Sequence, residues 1–283
     1  MPLKASAVLT LFLTLFMGLL TLPFPGMAQT PGDSRLEALG TLDSGRNWLA
    51  VGRLNTGGGS FCTATLIAPD RVLTAAHCLY QRDTHRPVAL GDVEFLAGWR
   101  SGRAEAIRGV RRAAIEPSFT MEGGRSLARV ANDLAVLELD RPIRLTGLQP
   151  IPVEGRMPAA GSAVAVVSYA RERAEAPSLQ DRCTVLERRR DRVVVMSCEI
   201  DFGSSGAPVF TLDGGVPRIV SVISALARTD QGDRALGMQI GGRIEALMAE
   251  LDNPPVQRPG LDGGHGGGMQ GGGARDTARF VRP

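Results

Sequence analysis

The chain reads VLTAAHC at residues 72–78, a stretch that places a histidine and a cysteine after a short apolar run. Val72–Thr74 has the apolar and β-branched composition of a strand. A side chain directly after such a strand is held by a rigid element. A histidine imidazole titrates near neutral pH, as general-base catalysis requires. His77 is therefore the candidate base of a histidine-dependent enzyme.

The chain offers few other histidines for this role. His85 lies in the polar stretch RDTHRP at residues 82–87, which is predicted to be an exposed loop, and His265 lies in a glycine-rich segment. A lone histidine among glycines is a poor set of metal ligands, so no metal site is expected there. His77 is nearly the only choice.

Short apolar runs separated by turn residues extend on both sides of His77. Many short strands of this kind indicate an all-β barrel or sandwich. Gly242–Leu251 is the one convincing helix, since its apolar residues recur at helical spacing. The predicted strands are Trp48–Leu54, Ala64–Ile67, Val72–Thr74, Val93–Ala97, Ala106–Ile115, Leu134–Leu139, Ala163–Ser168, Val193–Cys198, Pro208–Phe210, Ile219–Ser224 and Leu236–Ile240.

The two ends of the chain differ from this strand-rich middle, residues 45–251. Residues 1–28 carry a positive charge near their start at Lys4, continue through an apolar stretch and end in small residues, which predicts a cleaved signal peptide. An uncleaved membrane anchor is the alternative, because the stretch is near the shortest length that spans a bilayer. Residues 29–44 are predicted to be a leader or loosely held arm, and residues 252–283 a flexible Pro/Gly-rich tail.

A signal peptide predicts a secreted or periplasmic protein, and all four cysteines lie beyond it. An even cysteine count in an exported chain indicates disulfides. Three connectivities are open, of which Cys62–Cys78 and Cys183–Cys198 are favoured. Each bridge would close a loop of about 15 residues and stabilise the fold by about 3 kcal/mol. The cysteines lack the C-x-x-C spacing of zinc sites, which argues against metal binding.

The charge of the chain excludes some partners. A net charge of +3 over 283 residues is too weak for a nucleic-acid-binding surface. The runs RER at residues 171–173 and RRR at residues 188–190 are predicted to be solvated hairpin tips, with an acidic partner as the alternative.

No segment after the signal is long and apolar enough to cross a bilayer, so no membrane association is expected after cleavage. We expect a monomer without a cofactor.

A loop of small residues, DFGSSGAP at residues 201–208, supplies the candidate nucleophile. Glycines allow the backbone to turn tightly and a substrate to approach it. Ser205 is the candidate, with Ser204 as its close competitor. Successive N–H groups in such a loop can stabilise an oxyanion, and the expected donors are Gly203 and Ser205. On its own, a loop of this kind is more often only a turn.

An acid at the start of a strongly apolar segment, NDLAVLEL at residues 132–139, supplies the third candidate. A carboxylate beside the core is costly unless it is hydrogen-bonded. An imidazole N–H is a suitable partner, so Asp133 is predicted to orient His77. A turn role for Asp133 is the alternative when this segment is considered alone.

These segments together resemble the chymotrypsin/trypsin-like serine peptidases. The resemblance rests on FC at residues 61–62, TAAHC at 74–78, NDLAVL at 132–137 and GSSGAP at 203–208, in the order His, Asp, Ser. It covers roughly residues 45–250 and looks closest to the bacterial trypsin-like or glutamyl-endopeptidase-like branch.

The resemblance implies two six-stranded antiparallel β-barrels with the active site at their junction, followed by the C-terminal helix. It implies a serine endopeptidase that cleaves protein or peptide substrates through an acyl-enzyme on Ser205. The Cys62–Cys78 bridge would lie beside His77, and Cys183–Cys198 would brace the wall that leads into the nucleophile loop.

Two positions depart from the family pattern. Ser204 stands where the animal enzymes carry an aspartate that pairs with a newly cut amino terminus, and no Ile-Val-Gly-Gly start occurs near Trp48. We therefore predict no activation through that ion pair. Ala207 stands where the animal motif has glycine, and its methyl group is tolerable.

The specificity pocket is expected in the segment before Ser205. Glu199 stands at the position of the pocket-floor acid of the trypsin-like branch, where it would favour an Arg or Lys side chain. Ile200 follows it and Asp201 is nearby, so an outward-facing Glu199 is an equal alternative.

A second wall of the pocket is expected from a later strand. Ser224 is predicted to lie near the Asp133 carboxylate and the substrate backbone, with Ser221 as the fallback. Ile223 stands where glutamyl-specific relatives place a histidine, which argues against that specificity.

Two rival functions remain open. A catalytically silent binding module on the same fold is one, although the intact residues His77, Asp133 and Ser205 argue against it. A lipase or esterase is the other, and it would need the G-x-S-x-G elbow that residues 203–206 lack.

Overall fold

Two closed six-stranded antiparallel β-barrels hold most of the strands in the computed structural model, which describes residues 32–122, 126–230, 232–253 and 280–281. The first barrel has the strand order β6-β5-β2-β3-β4-β7 and is closed by pairing of β6 with β7. The second has the order β9-β10-β13-β12-β11-β8 and is closed by pairing of β8 with β9. The all-β prediction of two such barrels with a C-terminal helix is confirmed.

The elements have the following bounds. The strands are β1 (Glu37–Ala38), β2 (Val51–Asn55), β3 (Phe61–Ala68), β4 (Arg71–Thr74), β5 (Glu94–Ala97), β6 (Ala106–Ile115), β7 (Ala135–Leu139), β8 (Ala163–Ala170), β9 (Arg173–Arg188), β10 (Val193–Met196), β11 (Pro208–Thr211), β12 (Arg218–Thr229), β13 (Gly232–Gln239) and β14 (Phe280–Val281). The helices are α1 (Leu42–Gly45), α2 (Leu127–Asn132) and α3 (Arg243–Asp252).

Two neighbouring strands of the first barrel carry the segments of interest. Every residue of β4 and of β7 is buried. They pair antiparallel with Thr74 opposite Ala135. The end of β4 therefore lies beside the start of β7, which brings residues just after Thr74 close to residues just before Ala135.

The one acid inside β7 fixes this strand between its neighbours. Glu138 is almost fully buried, and its carboxylate receives hydrogen bonds from Arg111 and Arg112 and lies 3.5 Å from Nη1 of Arg71. Burial raises the pKa of the Glu138 carboxyl, but the arginines outweigh this and hold the pKa below its usual range. A buried carboxylate with such partners is satisfied, so it does not disturb the apolar strand.

The helix at the end of the domain packs against the first barrel. Ile244, Leu247 and Leu251 of α3 are buried, which confirms the apolar face predicted from their spacing. Arg71 donates to Asp252 at the end of α3 over 2.6 Å and thereby ties the helix to β4.

The structure corrects the prediction of a loosely held arm for residues 32–44. Glu37 and Ala38 form β1 and pair with β9, and Leu39 is fully buried. The Ser34 N–H also donates to the Arg182 carbonyl over 2.8 Å. The polar composition misled the prediction because a two-residue strand and one buried leucine leave almost no periodic pattern. Residues 29–31 and the predicted signal peptide, residues 1–28, lie outside the described residues.

Two further elements were missed. β9 is a 16-residue strand, although its sequence is polar and contains Pro177. The helix α2 directly precedes Asp133 and is only six residues long. The charge runs at residues 171–173 and 188–190 do lie at the ends of β9, as the hairpin-tip prediction implied.

The predicted tail is described only in part. Asp252 completes α3, and Phe280–Val281 form β14, which pairs parallel with Ala113–Ala114 of β6. Residues 254–279 lie outside the described residues. Among the residues that are described, no helix has the length and apolar character needed to span a membrane.

Candidate active site

The loops after β4 and before β7 bring His77 and Asp133 into direct contact. His77 lies in a 3₁₀ turn, Ala76–Leu79, and Asp133 caps the C-terminus of α2. Nδ1 of His77 lies 2.6 Å from Oδ2 of Asp133, and the backbone N–H of His77 donates to Oδ1 over 2.8 Å. Both carboxylate oxygens therefore hold the same residue, which fixes the orientation of the imidazole ring.

The environment of Asp133 keeps this acid charged. Its side chain is 1% exposed. Burial raises the pKa of the Asp133 carboxyl, but the charge of His77 and the hydrogen bonds from His77 and Ser224 outweigh burial, so the pKa lies below its usual range. An ionised carboxylate only accepts hydrogen bonds, so Nδ1 of His77 carries its proton. In the neutral ring, Nε2 is then free to accept one.

Ser224 completes the hydrogen bonding of the carboxylate. Its hydroxyl donates to Oδ2 of Asp133 over 2.5 Å from the middle of β12. Ser221, the fallback for this role, instead donates to the carbonyl of Met238 over 2.8 Å inside the second barrel. The two barrels therefore meet at Asp133, with His77 from the first and Ser224 from the second.

The nucleophile loop separates Ser204 from Ser205. The Ser204 side chain is fully buried, where it lies 3.2 Å from the Ser168 hydroxyl and 3.3 Å from the Tyr169 carbonyl oxygen, and its hydroxyl oxygen accepts from the Asp201 N–H over 3.2 Å. Ser205 is only half-buried. Within the described residues its hydroxyl has no hydrogen-bond partner. Of the two adjacent serines, only Ser205 offers an accessible hydroxyl.

The loop presents two free amides. In the described part of the chain, neither the N–H of Gly203 nor that of Ser205 donates to any acceptor. The carbonyl groups of the same residues are both held: Thr63 donates to the Ser205 carbonyl through its N–H (2.8 Å) and to the Gly203 carbonyl through its hydroxyl (2.9 Å). Free N–H groups on a fixed loop are the arrangement that stabilises an oxyanion.

The loop reaches this position because Gly206 lacks a side chain. Gly206 has φ +79°, and a Cβ there would collide with the Thr63 carbonyl oxygen and with Oγ1 of Thr74. The Gly206 N–H donates to the Ile223 carbonyl over 2.8 Å. The residue after Ser205 is therefore packed against the strand end that leads to His77 and bonded next to Ser224.

Both predicted disulfides form in the structure. Cys62 is bonded to Cys78, directly after His77, and Cys183 is bonded to Cys198, seven residues before Ser205. The sulfur atoms of Cys62 and Cys78 and one ring nitrogen of His77 lie within 4.8 Å of one another, so the three residues have a spacing suited to a metal ion. Because the two sulfurs are joined to each other, they cannot act as thiolate ligands.

Comparison with known proteins agrees with this architecture. Residues 62–216, more than half of the chain, match the family model described as the trypsin-like peptidase domain. The chain belongs to the trypsin-like peptidase family. Family membership supports a hydrolase that acts on peptide bonds.

A solved structure of a Glu endopeptidase in complex with MPD resembles this trypsin-like peptidase, with a TM-score of 0.62. The match covers 78% of this chain and 97% of the other chain, at 19% sequence identity. This likeness establishes that the two proteins share the chymotrypsin-like fold.

Two residues predicted to form the specificity pocket of the peptidase, Glu199 and Ile200, lie between the disulfide and the nucleophile loop. Glu199 is exposed and its N–H donates to the Gln180 side chain over 2.8 Å. Ile200 is half-buried and packs against the core of the second barrel. Burial lowers the pKa of the Arg173 guanidinium, and the charges of Asp201 and Glu199 oppose that shift.

One residue that organises the peptidase site was not identified from the sequence. Thr63 uses its N–H and hydroxyl to hold the carbonyls of Gly203 and Ser205, while its own hydroxyl oxygen accepts from the Tyr169 N–H over 3.0 Å. It is also fully buried. The sequence pattern that could have identified Thr63 is a hydroxyl residue inside the apolar stretch FCTATLI, next to Cys62. A polar side chain buried in such a stretch must find hydrogen-bond partners.

Proposed function

We propose that this trypsin-like peptidase is an exported serine endopeptidase in which Ser205, His77 and Asp133 form the catalytic triad. The observation that carries the proposal is the chain of contacts from Ser224 through Asp133 to Nδ1 of His77, beside a loop with one accessible serine and two free amides. Nδ1 holds its proton, so the neutral imidazole has one nitrogen left to act as base.

The proposed reaction proceeds in two stages. Nε2 of His77 takes the hydroxyl proton of Ser205 while Oγ attacks the scissile carbonyl carbon, and the N–H groups of Gly203 and Ser205 stabilise the oxyanion. The C–N bond breaks as the imidazolium gives its proton to the leaving amine, which leaves an acyl-enzyme. Water then hydrolyses the ester by the same proton transfers, and Ser205 is regenerated.

Export is part of the proposal. Two disulfides are compatible with an oxidising compartment, extracellular or periplasmic. The sequence of residues 1–28 has the three-part organisation of a cleaved signal peptide. We propose that the mature protein acts outside the cytoplasm on protein or peptide substrates.

A serine-directed fluorophosphonate probe tests the enzyme proposal. We expect covalent labelling of the folded protein on Ser205, located by mass spectrometry of the proteolysed adduct, and no labelling after heat unfolding. A peptide library then identifies the residue preferred before the cut. A folded protein that neither reacts with the probe nor cleaves the library would instead support the catalytically silent binding module.

The surroundings of Ser204 support an enzyme that needs no new amino terminus. Among the described residues, the Ser204 hydroxyl is held by uncharged groups alone, namely Ser168, the Tyr169 carbonyl and the Asp201 N–H. A buried aspartate at this position would need a cation as partner, whereas a buried serine does not. The nucleophile loop is therefore proposed to adopt its active conformation without activation cleavage.

Removal of residues 1–44 tests this proposal. We expect no rise in kcat/KM relative to a chain that starts at residue 32. We also expect the free energy of unfolding to fall by about 2–5 kcal/mol, because the cut removes β1 and the buried Leu39. Enzyme assays and denaturant unfolding of both proteins give the two quantities. A large rise in activity after the cut would contradict the proposal.

A further inference from the structure

An exposed aromatic ring lies directly beside the free amides of the nucleophile loop. Phe202 precedes Gly203 and is 47% exposed, and it is the one aromatic residue among the exposed large apolar side chains of the described residues. The guanidinium carbons of Arg82 and Arg171 lie 5.0 Å and 4.8 Å from the centre of its ring. We refer to Arg82, Phe202 and Arg171 as the Phe202 clamp.

Three separate loops build the Phe202 clamp. Arg82 belongs to the loop that follows His77, and Arg171 belongs to the turn between β8 and β9. The Arg171 N–H donates to the Phe202 carbonyl over 2.7 Å, which fixes this turn to the nucleophile loop. Cation–π contacts orient both guanidinium groups without neutralising their charge.

Among the described residues, the two arginines of the clamp have no anionic partner of their own. Both are exposed, and within the described parts of the chain no carboxylate lies within 4 Å of either guanidinium group. By contrast Arg53, which stacks on the nearby Phe61, lies 3.9 Å from a carboxylate oxygen of Glu175. A guanidinium held by a ring and free of acids presents a pre-oriented fork for a carboxylate.

The position of the clamp relates it to the leaving group. In the proposed function, on which this step rests, the leaving amine receives its proton from His77. The departing segment therefore lies on the His77 side of the nucleophile loop. Phe202 reaches that side, because it contacts Arg82, five residues after His77. Ser224 and the second wall expected for the residue before the cut belong to β12.

We propose that Arg82 and Arg171, held against Phe202, bind a carboxylate of the substrate in the first two residues after the scissile bond. The carboxylate comes either from an Asp or Glu side chain or from the free α-carboxylate of a chain that ends there. Substrates with this carboxylate are held with their scissile bond at Ser205 longer than neutral ones, so their kcat/KM is higher.

Matched peptides test this inference. They share all residues before the cut and carry Asp-Glu or Asn-Gln after it, with an amidated end. We expect a kcat/KM about three- to tenfold higher for the acidic peptide, because this is the gain in binding that two partly exposed ion pairs provide. A second pair has neutral side chains and ends two residues after the cut, with a free or an amidated carboxyl group. The pair that shows the preference identifies the source of the carboxylate.

Variants assign the preference to the clamp. The double variant Arg82→Gln/Arg171→Gln is expected to lose the preference, measured as the ratio of kcat/KM between the charged and the neutral peptide of a pair, and each single variant is expected to lose part of it. Arg190→Gln, which replaces an exposed arginine on the turn between β9 and β10, is the matched control and should keep it. Salt at about 0.5 M should shrink the difference, since it screens exposed charges.

The outcomes separate this inference from the proposed function. Equal cleavage within both peptide pairs by the wild-type protein overturns the inference and leaves the endopeptidase in place. If no peptide is cleaved, the proposed function fails, and binding then tests the clamp alone. Fluorescence anisotropy of labelled acidic and amide peptides on Ser205→Ala should give Kd values that differ about three- to tenfold. Equal Kd values would overturn the inference.

Discussion

Ser205→Ala is expected to lower kcat/KM on a protein substrate by about 10⁴- to 10⁶-fold, because the attacking hydroxyl is lost and only oxyanion stabilisation and binding remain. The variant should fold normally, since the Ser205 hydroxyl has no partner among the described residues. Steady-state kinetics with the peptide identified in the library give the ratio. The variant should also fail to react with a fluorophosphonate.

Ser204→Ala is the matched control, because it removes the same atom one residue earlier. The Ser204 hydroxyl is buried and contacts Ser168 and Tyr169. Its loss is expected to lower the free energy of unfolding by about 1–3 kcal/mol. The folded variant should keep its reaction with the fluorophosphonate and far more activity than Ser205→Ala. If the two results were exchanged, with Ser204→Ala inactive and Ser205→Ala active, the nucleophile would be Ser204.

The barrels were predictable because their strands leave a local signal. Ala106–Ile115 was predicted with the bounds that the structure has, and β7 differs from its prediction by one residue. Short apolar runs and turn residues determine such strands within a few positions. His77 was predictable for a similar local reason, since only one of the three histidines follows an apolar strand.

The missed elements depend on distant residues. β9 is polar and contains a proline, and it is a strand because β8, β10 and β1 pair with it. The burial of Leu39 likewise requires the groove beside β9, where its N–H donates to the Pro177 carbonyl over 2.9 Å. A local pattern cannot indicate such contacts, because propensity is weak where tertiary pairing decides.

The difference in burial between the two adjacent serines was also not predictable from the local sequence, although Ser205 was the candidate nucleophile. Ser204 and Ser205 have the same side chain, and their directions follow from the backbone on either side, where Gly203 has φ +102° and Gly206 has φ +79°. The Phe202 clamp, like β9, could not be predicted from the sequence because it depends on contacts between distant residues. Arg82, Arg171 and Phe202 come from three loops and meet only in the folded protein.

Asp133→Asn is expected to lower kcat by about 10⁴-fold at neutral pH. The carboxylate accepts from Nδ1 of His77, from the His77 N–H and from Ser224. An amide at this position can donate to Nδ1, which would move the ring proton to Nε2 and leave His77 without a free base for Ser205. Steady-state kinetics against pH measure this loss. A kcat within about tenfold of the wild type would contradict the assigned role.

Ser224→Ala is the control for this prediction, because it removes one hydrogen bond and leaves the carboxylate in place. Its expected loss is smaller, at most about 10- to 100-fold in kcat.

Stability gives a second readout of Asp133. The pKa of its carboxyl in the folded protein lies below the value of about 3.9 for an unfolded chain. The ionised group therefore stabilises the fold above that pH, and this contribution is lost as the pH falls through the folded pKa. The advantage of the wild type over Asp133→Asn in the free energy of unfolding should shrink below about pH 4. Denaturant unfolding at pH 7 and pH 3 measures it, and an equal advantage at both pH values would mean that the carboxylate charge is not what stabilises this site.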